Sequence, residues 1–418
     1  MSIPAVRVHA GWCLRGIVLK RCFLFLQGPH GPFFRDLGRE LSAGGADVLR
    51  VNLCGGDVWD WPFGSLNYRG RTSDWSEWIA RLMARHGVTD LLVYGDWRPH
   101  HREAVHIARL RGIRVWAFDE GYIRPDWITM EEGGVNGNSH LPHTPGDVRS
   151  ACCGDMVEPG SVQASNPLRL RQFKAFLYAA FSILGLPFFP FYRTHRPYSH
   201  FVELFSGWIP HFFSSRKRTA ASEAARKRLD GADYFLFPLQ LDSDSQVRRY
   251  SPFSGMKEAI AYVMTSFAQY APKDTLLVIR NHPLDNGLIR YDRFILSFSR
   301  ACGIEDRTVF VETGNGREML RGCKAVVLLN STMGLSALEL GKAVYCVGKA
   351  IYAMPGLAEN GAQDTLDHFW NDPRLPDKDL LGDFERIVRC RTLVNGNFYH
   401  GEGRRLAVQG CARRLMQQ

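Results

Sequence analysis

The chain has 418 residues, of which 45% are hydrophobic and 22% are charged, and its formal net charge is +10. This length exceeds one ordinary hydrophobic core, so two domains are expected. The composition is that of a folded protein and excludes an intrinsically disordered one. The positive charge favours anionic partners: nucleic acid, phosphorylated or carboxylated small molecules, or an anionic membrane surface.

The ten cysteines include no C-x-x-C pair, so the sequence has neither a zinc-ribbon nor a redox signature. Cys323 and Cys346 lie inside apolar runs, as reduced cysteines do in a reducing compartment. The N-terminal region lacks an apolar segment followed by a small-residue cleavage site, which argues against a signal peptide. The most apolar stretch, 175–192, is short for a membrane span and is interrupted by glycine and proline. We therefore expect a cytoplasmic protein that is soluble or peripheral to a membrane.

Strands and helices alternate along the first third of the chain, which is the pattern of a doubly wound parallel sheet. Short apolar runs that end near glycine or aspartate predict the strands, and the amphipathic runs between them predict the helices. The predicted strands are 22–26, 47–53, 90–94 and 114–118, and the predicted helices are 33–43, 76–86 and 102–111. Residues 54–61, which include two tryptophans, are predicted to form a loop.

A Gly/Pro turn at residues 27–32 connects the first predicted strand to the first helix. Backbone N–H groups at such a helix start can meet an anion. The turn lacks the G-x-G-x-x-G spacing and the Walker lysine, so a structural turn is favoured over a phosphate cradle. Gln27 and Gly28 are kept as candidate substrate-binding residues.

Residues 127–230 interrupt the alternation and predict a helical insertion or interdomain segment. It contains a Gly/Asn-rich loop at 131–139, the apolar piece 175–192, and aromatic residues interleaved with basic ones at 192–218. Such interleaving serves base stacking on nucleic acid, burial of aromatic rings beneath charged heads, or docking at an anionic membrane. Since no RNA-binding motif accompanies it, packing or a membrane is favoured, and no nucleic-acid partner is expected.

A second α/β alternation begins near Asp233 and predicts a second Rossmann-like half. Its predicted strands are 234–237, 275–279, 308–312, 325–329 and 343–347, and its predicted helices are 254–269, 318–321 and 335–340. A basic, partly helical stretch follows from about residue 380. We therefore divide the chain into an N-terminal Rossmann-like half (1–150), the insertion (151–230) and a C-terminal Rossmann-like half (231–418).

Two adjacent carboxylates, Asp119 and Glu120, follow the predicted strand 114–118 and precede Gly121. Open α/β sheets bind their ligands beyond the carboxyl ends of the strands. Carboxylates at such an edge are costly unless they act on a ligand, although a solvated acidic turn explains this stretch alone equally well. Side chains alternate along a strand, so only one of the two acids is expected to face a cleft.

A histidine and a pair of hydroxyls follow two predicted strands of the second half. The proline after His282 favours an extended conformation that aims the imidazole out of the sheet edge, beside Arg280 and Asn281. These side chains suit a phosphate, and the alternative is a histidine that merely caps the sheet. Ser331 and Thr332 open a helix, where they form either an anion site or an ordinary N-cap.

Further polar residues occur near these strand ends. Glu339, inside the helix that Ser331 opens, reaches a nucleotide ribose if it faces the cleft and is otherwise a surface residue. Gln240, Asp242 and Asp244 follow another predicted strand, and their spacing matches only part of an EF-hand loop, without its glycine and terminal glutamate. We expect them to make polar contacts with a substrate and expect no metal.

The two polar edges together suit the transfer of a sugar to a hydroxyl. That reaction needs a carboxylate or histidine to take the proton of the acceptor. It also needs groups that stabilise the phosphate of the leaving nucleotide. An acidic edge in one half and a His/Ser/Thr edge in the other supply both, and closure of the two domains would assemble the site.

Several motifs occur in the order found in a known family. They are residues 119–125, 129–131, 134–139, 237–244, 280–283 and 330–334, within a region of roughly 22–360. In these motifs the sequence resembles the bacterial capsular polysaccharide synthesis and export family (KpsS/LipB type). That family is similar to GT-B Kdo transferases and to sialyltransferases that use CMP-activated sugars. The sialyltransferases carry an acidic motif, a His-Pro motif and a Ser/Thr motif.

The resemblance implies an α/β, GT-B-like fold in which two Rossmann-like domains face an interdomain cleft, with a helical insertion. The implied reaction transfers β-linked Kdo from CMP-Kdo to a lipid acceptor of the phosphatidylglycerol type or to a growing Kdo linker, with no metal and no cofactor. Asp119 or Glu120 would be the base. His282 would bind the donor phosphate, assisted by Ser331 and Thr332.

Within the same motifs, Gly121, Arg124, Asn136 and Ser139 are further candidate substrate-binding residues. The expected partners are a CMP-sugar donor, an anionic lipid acceptor at the inner face of the membrane, and the capsule export machinery. The expected location is cytoplasmic and peripheral to the inner membrane. A competing hypothesis is a non-catalytic export component that binds the lipid-linked polysaccharide or the transporter.

Overall fold

The structure is a computed structural model that describes residues 20–152, 160, 162–163, 168–194 and 198–417. The described strands form two separate sheets. The strands of the first sheet are β1 (Cys22–Phe25), β2 (Asp47–Asn52), β3 (Leu66–Asn67), β4 (Asp90–Tyr94), β5 (Arg114–Glu120), β6 (Trp127–Glu132) and β13 (Leu393–Asn395). Their order across the sheet is β13-β6-β5-β4-β1-β2-β3. Strands β1 to β5 pair in parallel, whereas β6 pairs antiparallel with both β5 and β13.

The second sheet is parallel throughout its described pairs. Its strands are β7 (Tyr234–Pro238), β8 (Leu276–Arg280), β9 (Thr308–Val311), β10 (Ala325–Leu328), β11 (Ala343–Cys346) and β12 (Glu359–Asn360). Their order is β12-β11-β10-β7-β8-β9. Two largely parallel sheets in one chain confirm the predicted α/β class with two Rossmann-like halves.

Helices connect and cover the strands of both sheets. In the first half and the insertion they are α1 (Phe33–Ala43), α2 (Gly55–Asp60), α3 (Trp75–Arg85), α4 (Pro99–Leu110), α5 (Pro145–Cys152), α6 (Leu168–Leu184), α7 (His200–Val202), α8 (Ile209–Phe213) and α9 (Ser215–Lys227). In the second half they are α10 (Ser245–Arg249), α11 (Met256–Tyr270), α12 (Tyr291–Ala301), α13 (Gly316–Gly322), α14 (Met333–Glu339), α15 (Leu366–Phe369), α16 (Lys378–Thr392) and α17 (Gly401–Gln417). None of the helices in the described ranges has the length and hydropathy required to cross a membrane.

Apolar side chains of one strand point alternately to the two faces of the sheet, so each sheet has a core on both faces. In β1, Phe23 and Phe25 join one cluster of buried side chains, whereas Cys22 and Leu24 join another. Successive side chains of a strand point to opposite faces, so a run that is apolar throughout must be covered by helices on both sides. Strand β7 repeats the arrangement in the second sheet.

Strand β5 is longer than the sequence predicts and continues through Asp119 and Glu120. The reason is β6, a strand that sequence analysis missed, which pairs with β5 so that Asp119 lies opposite Thr129 and Glu120 opposite Ile128. The backbone ladder therefore extends past the apolar run and includes both acids. The Gly/Asn-rich segment 131–139, which was predicted as a loop, accordingly begins inside β6.

The end of the chain returns to the first half, which corrects the predicted 231–418 domain. Strand β13 pairs with β6, and α17 packs on α1, with Ala407, Cys411 and Leu415 buried in the first half's core. Helix α16 contributes to a core that Tyr122 and Ile123 of the first half share with the second sheet. Residues 378–417 thus tie the two halves together.

Helix α6 of the insertion lies directly on α2, where a tryptophan-rich loop was predicted. A Cβ atom at Gly55 would lie 2.1 Å from the carbonyl oxygen of Phe181, so only glycine allows the two backbones to approach this closely. The rings of Trp59 and Phe181 stack across the contact, with centroids 4.0 Å apart. This packing holds the insertion against the first sheet.

A buried carboxylate, Glu131, organises the turn after β6. The hydroxyls of Tyr122 and Ser139 each donate to it at 2.6 Å, and the backbone N–H of Asn136 donates to the Tyr122 hydroxyl at 2.7 Å. Burial raises the pKa of Glu131 to about 7, although the two hydroxyl donors oppose the shift. The network therefore sets the position of Asn136.

We expect Phe398→Ala to lower the free energy of unfolding by about 3–5 kcal/mol, because truncating a large buried side chain leaves a cavity. Phe398 is fully buried, and its ring lies 4.9 Å from that of Phe33 and 5.5 Å from that of Tyr94. Urea unfolding followed by circular dichroism measures the change. The control Phe63→Ala, at a side chain that is 85% exposed, should change stability by less than about 0.5 kcal/mol. Equal effects of the two substitutions would contradict the placement of Phe398.

Glu131→Gln should flatten the pH dependence of stability. The pKa of Glu131 is raised in the folded state from 4.5 to about 7, so the folded protein binds an extra proton between these values and wild-type stability falls as pH rises. Relative to the variant, the wild type should lose up to about 3 kcal/mol across this range. Urea unfolding at several pH values measures this, with Glu132→Gln, an exposed neighbour, as control. Parallel stability curves for wild type and Glu131→Gln would overturn the assignment.

Candidate active site

The carboxyl-end edges of the two sheets face each other, and direct contacts join the loops on either side. The guanidinium of Arg249 lies 4.0 Å from the ring centroid of Trp97. Gly137 lies against the ring of Tyr250, since a Cβ atom there would approach the ring to 2.1 Å. These contacts connect the loop after β4 and the turn after β6 to the second half and bring the acidic and histidine edges into one cleft, as the GT-B-like prediction expects.

Asp119 lies on the side of β5 that faces the second half. Its carboxylate accepts hydrogen bonds from the Asn136 side-chain amide at 2.6 Å and from the Glu120 backbone N–H at 2.8 Å. Burial is the main reason that its pKa rises to about 6, and the negative charge of Asp244 from the second half raises it further. Asp119 is thus a carboxylate held in place by an amide, with a pKa close to neutrality.

Glu120 lies on the opposite face of β5 and is held by a cation. Its Oε1 is 2.8 Å from a guanidinium nitrogen of Arg171 on α6 and accepts a hydrogen bond from the Tyr399 hydroxyl at 2.6 Å. A longer bond of 3.4 Å comes from Tyr94. The Arg171 guanidinium also lies over the Tyr399 ring at 5.0 Å. Glu120 therefore joins the insertion and the chain's last segment to the edge of the first sheet.

His282 carries a neutral ring among three arginines. Its Nδ1 accepts a hydrogen bond from the Leu284 backbone N–H at 3.1 Å, so the ring hydrogen belongs on Nε2. Burial lowers its pKa to about 4, and the charges of Arg124, Arg280 and Arg171 lower it further. A neutral N–H donor surrounded by guanidinium groups from both halves is suited to binding a phosphate.

Other predicted donor-side residues shape this edge. The Asn281 side chain donates to Asp285 at 3.1 Å and accepts from the His282 backbone N–H at 2.9 Å, which fixes the loop that carries the histidine. Arg280 belongs to β8 rather than following it and donates to the Gly314 carbonyl at 3.3 Å. Asn281 therefore supports His282, whereas Arg280 adds positive charge.

Ser331 and Thr332 lie at the start of α14, as predicted. The Ser331 hydroxyl accepts from the Met333 backbone N–H at 3.3 Å, whereas the Thr332 side chain makes no capping hydrogen bond. Glu339 is exposed at the far end of this helix, where partial burial raises its pKa and the charges of Arg389 and Arg317 oppose the shift. Its proposed contact with a ribose stays a prediction.

Two candidate substrate-binding residues of the first half make hydrogen bonds within the protein. Gln27 is buried, and its amide donates to Asp57 at 3.1 Å, Tyr178 at 3.0 Å and Tyr192 at 3.2 Å. Ser139 is buried, and its hydroxyl donates to Glu131. These bonds give both side chains a structural role, and their contact with a substrate stays a prediction.

The four other candidates from the first half occupy different positions. Gly28 lines a large cavity beside the site. Gly121 is buried where a Cβ atom would lie 2.3 Å from the Trp127 carbonyl oxygen, so its role is a tight backbone turn. Arg124 is exposed, its guanidinium donates to the Gly121 carbonyl at 3.2 Å, and its charge acts on His282. Asn136 holds Asp119 and has a positive φ of 58°.

The two candidates after β7 also make hydrogen bonds within the protein. The Gln240 amide donates to the Asn330 side chain at 3.0 Å and accepts from the Asn330 backbone at 3.3 Å, which joins two strand ends. Asp242 accepts from the Met256 backbone N–H at 2.9 Å and forms an ion pair with Arg248 at 2.9 Å. The expected contacts of these residues with a substrate stay predictions.

Sequence analysis missed Arg171, Tyr399 and Tyr94 as parts of the site. Arg171 and Tyr399 lie 51 and 279 positions after Glu120, and no local pattern marks such long-range contacts. The basic composition of the insertion was the only available signal for Arg171. Among the described residues, no three His, Cys, Asp or Glu side chains are grouped as a metal site.

Comparisons with known proteins found similar solved structures and similar sequences. The chain is similar to a solved structure of Thermosulfurimonas dismutans KpsC, described as a beta Kdo 2,7 transferase. The match covers 95% of this chain and 99% of the KpsC chain, with 13% identity and a TM-score of 0.43. The chain is also similar to the capsule polysaccharide export protein KpsS of Escherichia coli, with 34% identity over 384 residues that cover 90% of this chain and 96% of KpsS.

A second relative is the capsule polysaccharide modification protein LipB of Neisseria meningitidis serogroup A. It is 31% identical over 390 residues, which cover 90% of this chain and 91% of LipB. The model of the capsule polysaccharide biosynthesis protein family matches residues 89–399, a range that contains Asp119, His282 and Tyr399. The chain therefore belongs to the capsule polysaccharide biosynthesis protein family.

Proposed function

We propose that this capsule biosynthesis protein is a metal-independent glycosyltransferase that moves Kdo from CMP-Kdo to a hydroxyl of a lysophosphatidylglycerol-type lipid or of a growing Kdo linker. The observation that carries the proposal is the pairing across one cleft of Asp119, whose pKa is about 6, with His282 and its surrounding arginines. The first is suited to taking a proton and the second to receiving a leaving phosphate.

On the donor side, His282 and the arginines have different roles in binding the phosphate. His282 stays neutral near pH 7 because burial and positive neighbours lower its pKa to about 4, so it contributes a hydrogen bond rather than a charge. Arg124 comes from the first half and Arg280 from the second, so an anion between them favours closure of the cleft. The bond from Kdo to the phosphate breaks, and CMP leaves with the bonding electrons.

On the acceptor side, Asp119 rather than Glu120 is the proposed base. Asp119 has an amide donor and an acidic neighbour but no ion pair with a described cation, so its carboxylate keeps affinity for a proton. Glu120 is already held by Arg171 and two tyrosines, so its carboxylate is less available to an acceptor hydroxyl. In the proposed step Asp119 takes the acceptor hydroxyl proton as the oxygen bonds to Kdo, and Glu120 positions Arg171.

The insertion supports a lipid acceptor at an anionic membrane surface. Between residues 168 and 218 the sequence has eight lysines and arginines and one glutamate. Large apolar side chains of this segment are exposed, among them Phe173, Phe188, Phe201, Phe212 and Phe213. Exposed aromatic rings among basic residues bind lipid headgroup regions and their negative potential.

A second candidate function, a non-catalytic part in capsule export, is favoured by the name of the Escherichia coli relative, an export protein. Purified protein incubated with CMP-Kdo and lysophosphatidylglycerol separates the two. Release of CMP together with a mass increase of the lipid by one Kdo supports the transferase. Binding of lipid-linked polysaccharide without any turnover would instead support the export component.

Asp119→Asn should lower kcat by about 10²–10⁴-fold, the usual contribution of a general base. Glu120→Gln should have a smaller effect, expressed partly in the acceptor KM, because it weakens the ion pair with Arg171. Steady-state kinetics of CMP release measure both, with Glu77→Gln on the exposed face of α3 as the matched control. Full activity of a correctly folded Asp119→Asn variant would contradict the assignment of the base.

The rate should fall as pH is lowered through about 6, where Asp119 takes up a proton. The hydrogen bond from Asn136 stabilises the charged form of Asp119 and so lowers its pKa. Asn136→Gly removes this bond and should therefore move the acidic limb to higher pH by about one unit. Glycine also accepts the positive φ of this position. The pH profile of kcat/KM measures the shift, and Asn138→Ala, which removes a bond to Asp96, is the control. An unmoved limb in Asn136→Gly would exclude Asp119 as the titrating group.

A further inference from the structure

A cavity of about 860 Å³ lies between the insertion and the site. Its walls come mainly from α6 and α8 and are largely apolar, including Phe173, Phe176, Ile209, Phe212 and Leu284. This volume is in the upper part of the range for small-molecule sites, which is about 300–1,000 Å³. The cavity is therefore large enough for a substantial apolar group.

The outer wall of this cavity consists of aromatic rings that the fold leaves in water. Phe212 is 74% exposed and Phe213 is 81% exposed, and both line the cavity. Leaving such rings exposed forgoes the free energy of burying them, and clustered exposed apolar groups mark sites for apolar ligands or membranes. An apolar ligand in the cavity would cover these rings.

The inner end of the cavity is positively charged and borders the site. Arg98 and Arg171 both line it, together with Tyr94 and Tyr399, the tyrosines that bond to Glu120. Arg98 lies over the Tyr94 ring at 5.3 Å, and its guanidinium forms no ion pair with a carboxylate of the described chain. A half-buried arginine of this kind favours an anion.

The distribution of polar groups distinguishes an amphiphile from a nucleotide. Arg218 and Arg171 are both paired within the protein, with Glu312 and Glu120 at 2.8 Å each, so Arg98 at the inner end is the cavity arginine that forms no ion pair with a described carboxylate. A nucleotide needs donors and acceptors along its whole length, whereas a lipid needs them only at its head. The basic composition of residues 168–218 makes an anionic lipid surface the source that fits.

We propose that this cavity binds an acyl chain of the acceptor lipid, with the anionic headgroup at Arg98 and Arg171. The proposal rests on the proposed function for the identity of the acceptor and adds the place where its chain is held. Arg171 would contact both the headgroup and Glu120, so a lipid bound in the cavity would help to hold the Glu120 side chain in place. The headgroup then borders the acidic edge at Glu120, the neighbour of Asp119 along β5.

Tryptophan quenching by a brominated lipid tests the cavity without requiring turnover. Trp208 lines the cavity, and lysophosphatidylglycerol with a dibrominated stearoyl chain, below its micelle concentration, should quench its fluorescence. Trp208→Phe should remove the quenchable signal from among the ten tryptophans. Ala179→Phe, which fills the cavity from α6, should weaken binding at least about tenfold, whereas Ala224→Phe on exposed α9 should leave it unchanged.

A second variant and a series of acyl lengths test the cavity independently of Ala179→Phe. Phe212→Ser, at an exposed ring that the core does not need, should weaken binding severalfold if Ala179→Phe fails to fold. Lengthening the acyl chain by two methylene groups should strengthen binding by up to about tenfold while the chain still fits. Equal binding by wild type and both variants, or displacement of the lipid by CMP alone, would overturn the proposal.

The outcomes also separate this inference from the proposed function. If Kdo is transferred with no dependence on acyl length and no loss in Ala179→Phe, the lipid-binding cavity is contradicted and the transferase is supported. If quenching depends on acyl length but no acceptor receives Kdo, the lipid-binding cavity is supported and the transferase is contradicted.

Discussion

The antiparallel pairing of β5 with β6 is the constraint on which the site depends. It extends β5 through Asp119 and Glu120 and, because side chains alternate along a strand, sends the two carboxylates to opposite faces. Asp119 meets the amide of Asn136 and the charge of Asp244, whereas Glu120 meets Arg171 and two tyrosines. Two adjacent acids thereby acquire different environments and can perform different chemistry.

A chain of buried hydrogen bonds keeps this division in place. Glu131 holds the Tyr122 hydroxyl, which receives the Asn136 backbone N–H, and the Asn136 side chain in turn donates to Asp119. The same turn carries Gly137, which lies against Tyr250 of the second half. The position of the proposed base and the contact between the halves therefore depend on one segment.

The insertion and the last segment of the chain complete the other side. Arg171 from α6 and Tyr399 from the end of the chain meet on Glu120, and both line the large apolar cavity. The return of β13 and α17 to the first half brings Tyr399 there. Regions that lie outside both Rossmann-like alternations thus contribute the side chains that join the cavity to the acidic edge.

The sequence by itself determined the α/β class, the two halves, most strands to within a residue or two, and the edges that carry Asp119, His282 and Ser331, because apolar periodicity and strand-end motifs are local. Only the tertiary structure decided which groups Gln27, Ser139, Gln240 and Asp242 bond to within the protein, since no local sequence pattern identifies those partners. It also decided that Arg171 and Tyr399 belong to the site. Long-range packing sets which polar groups are satisfied by the protein and which face the cleft, and no local pattern encodes that choice.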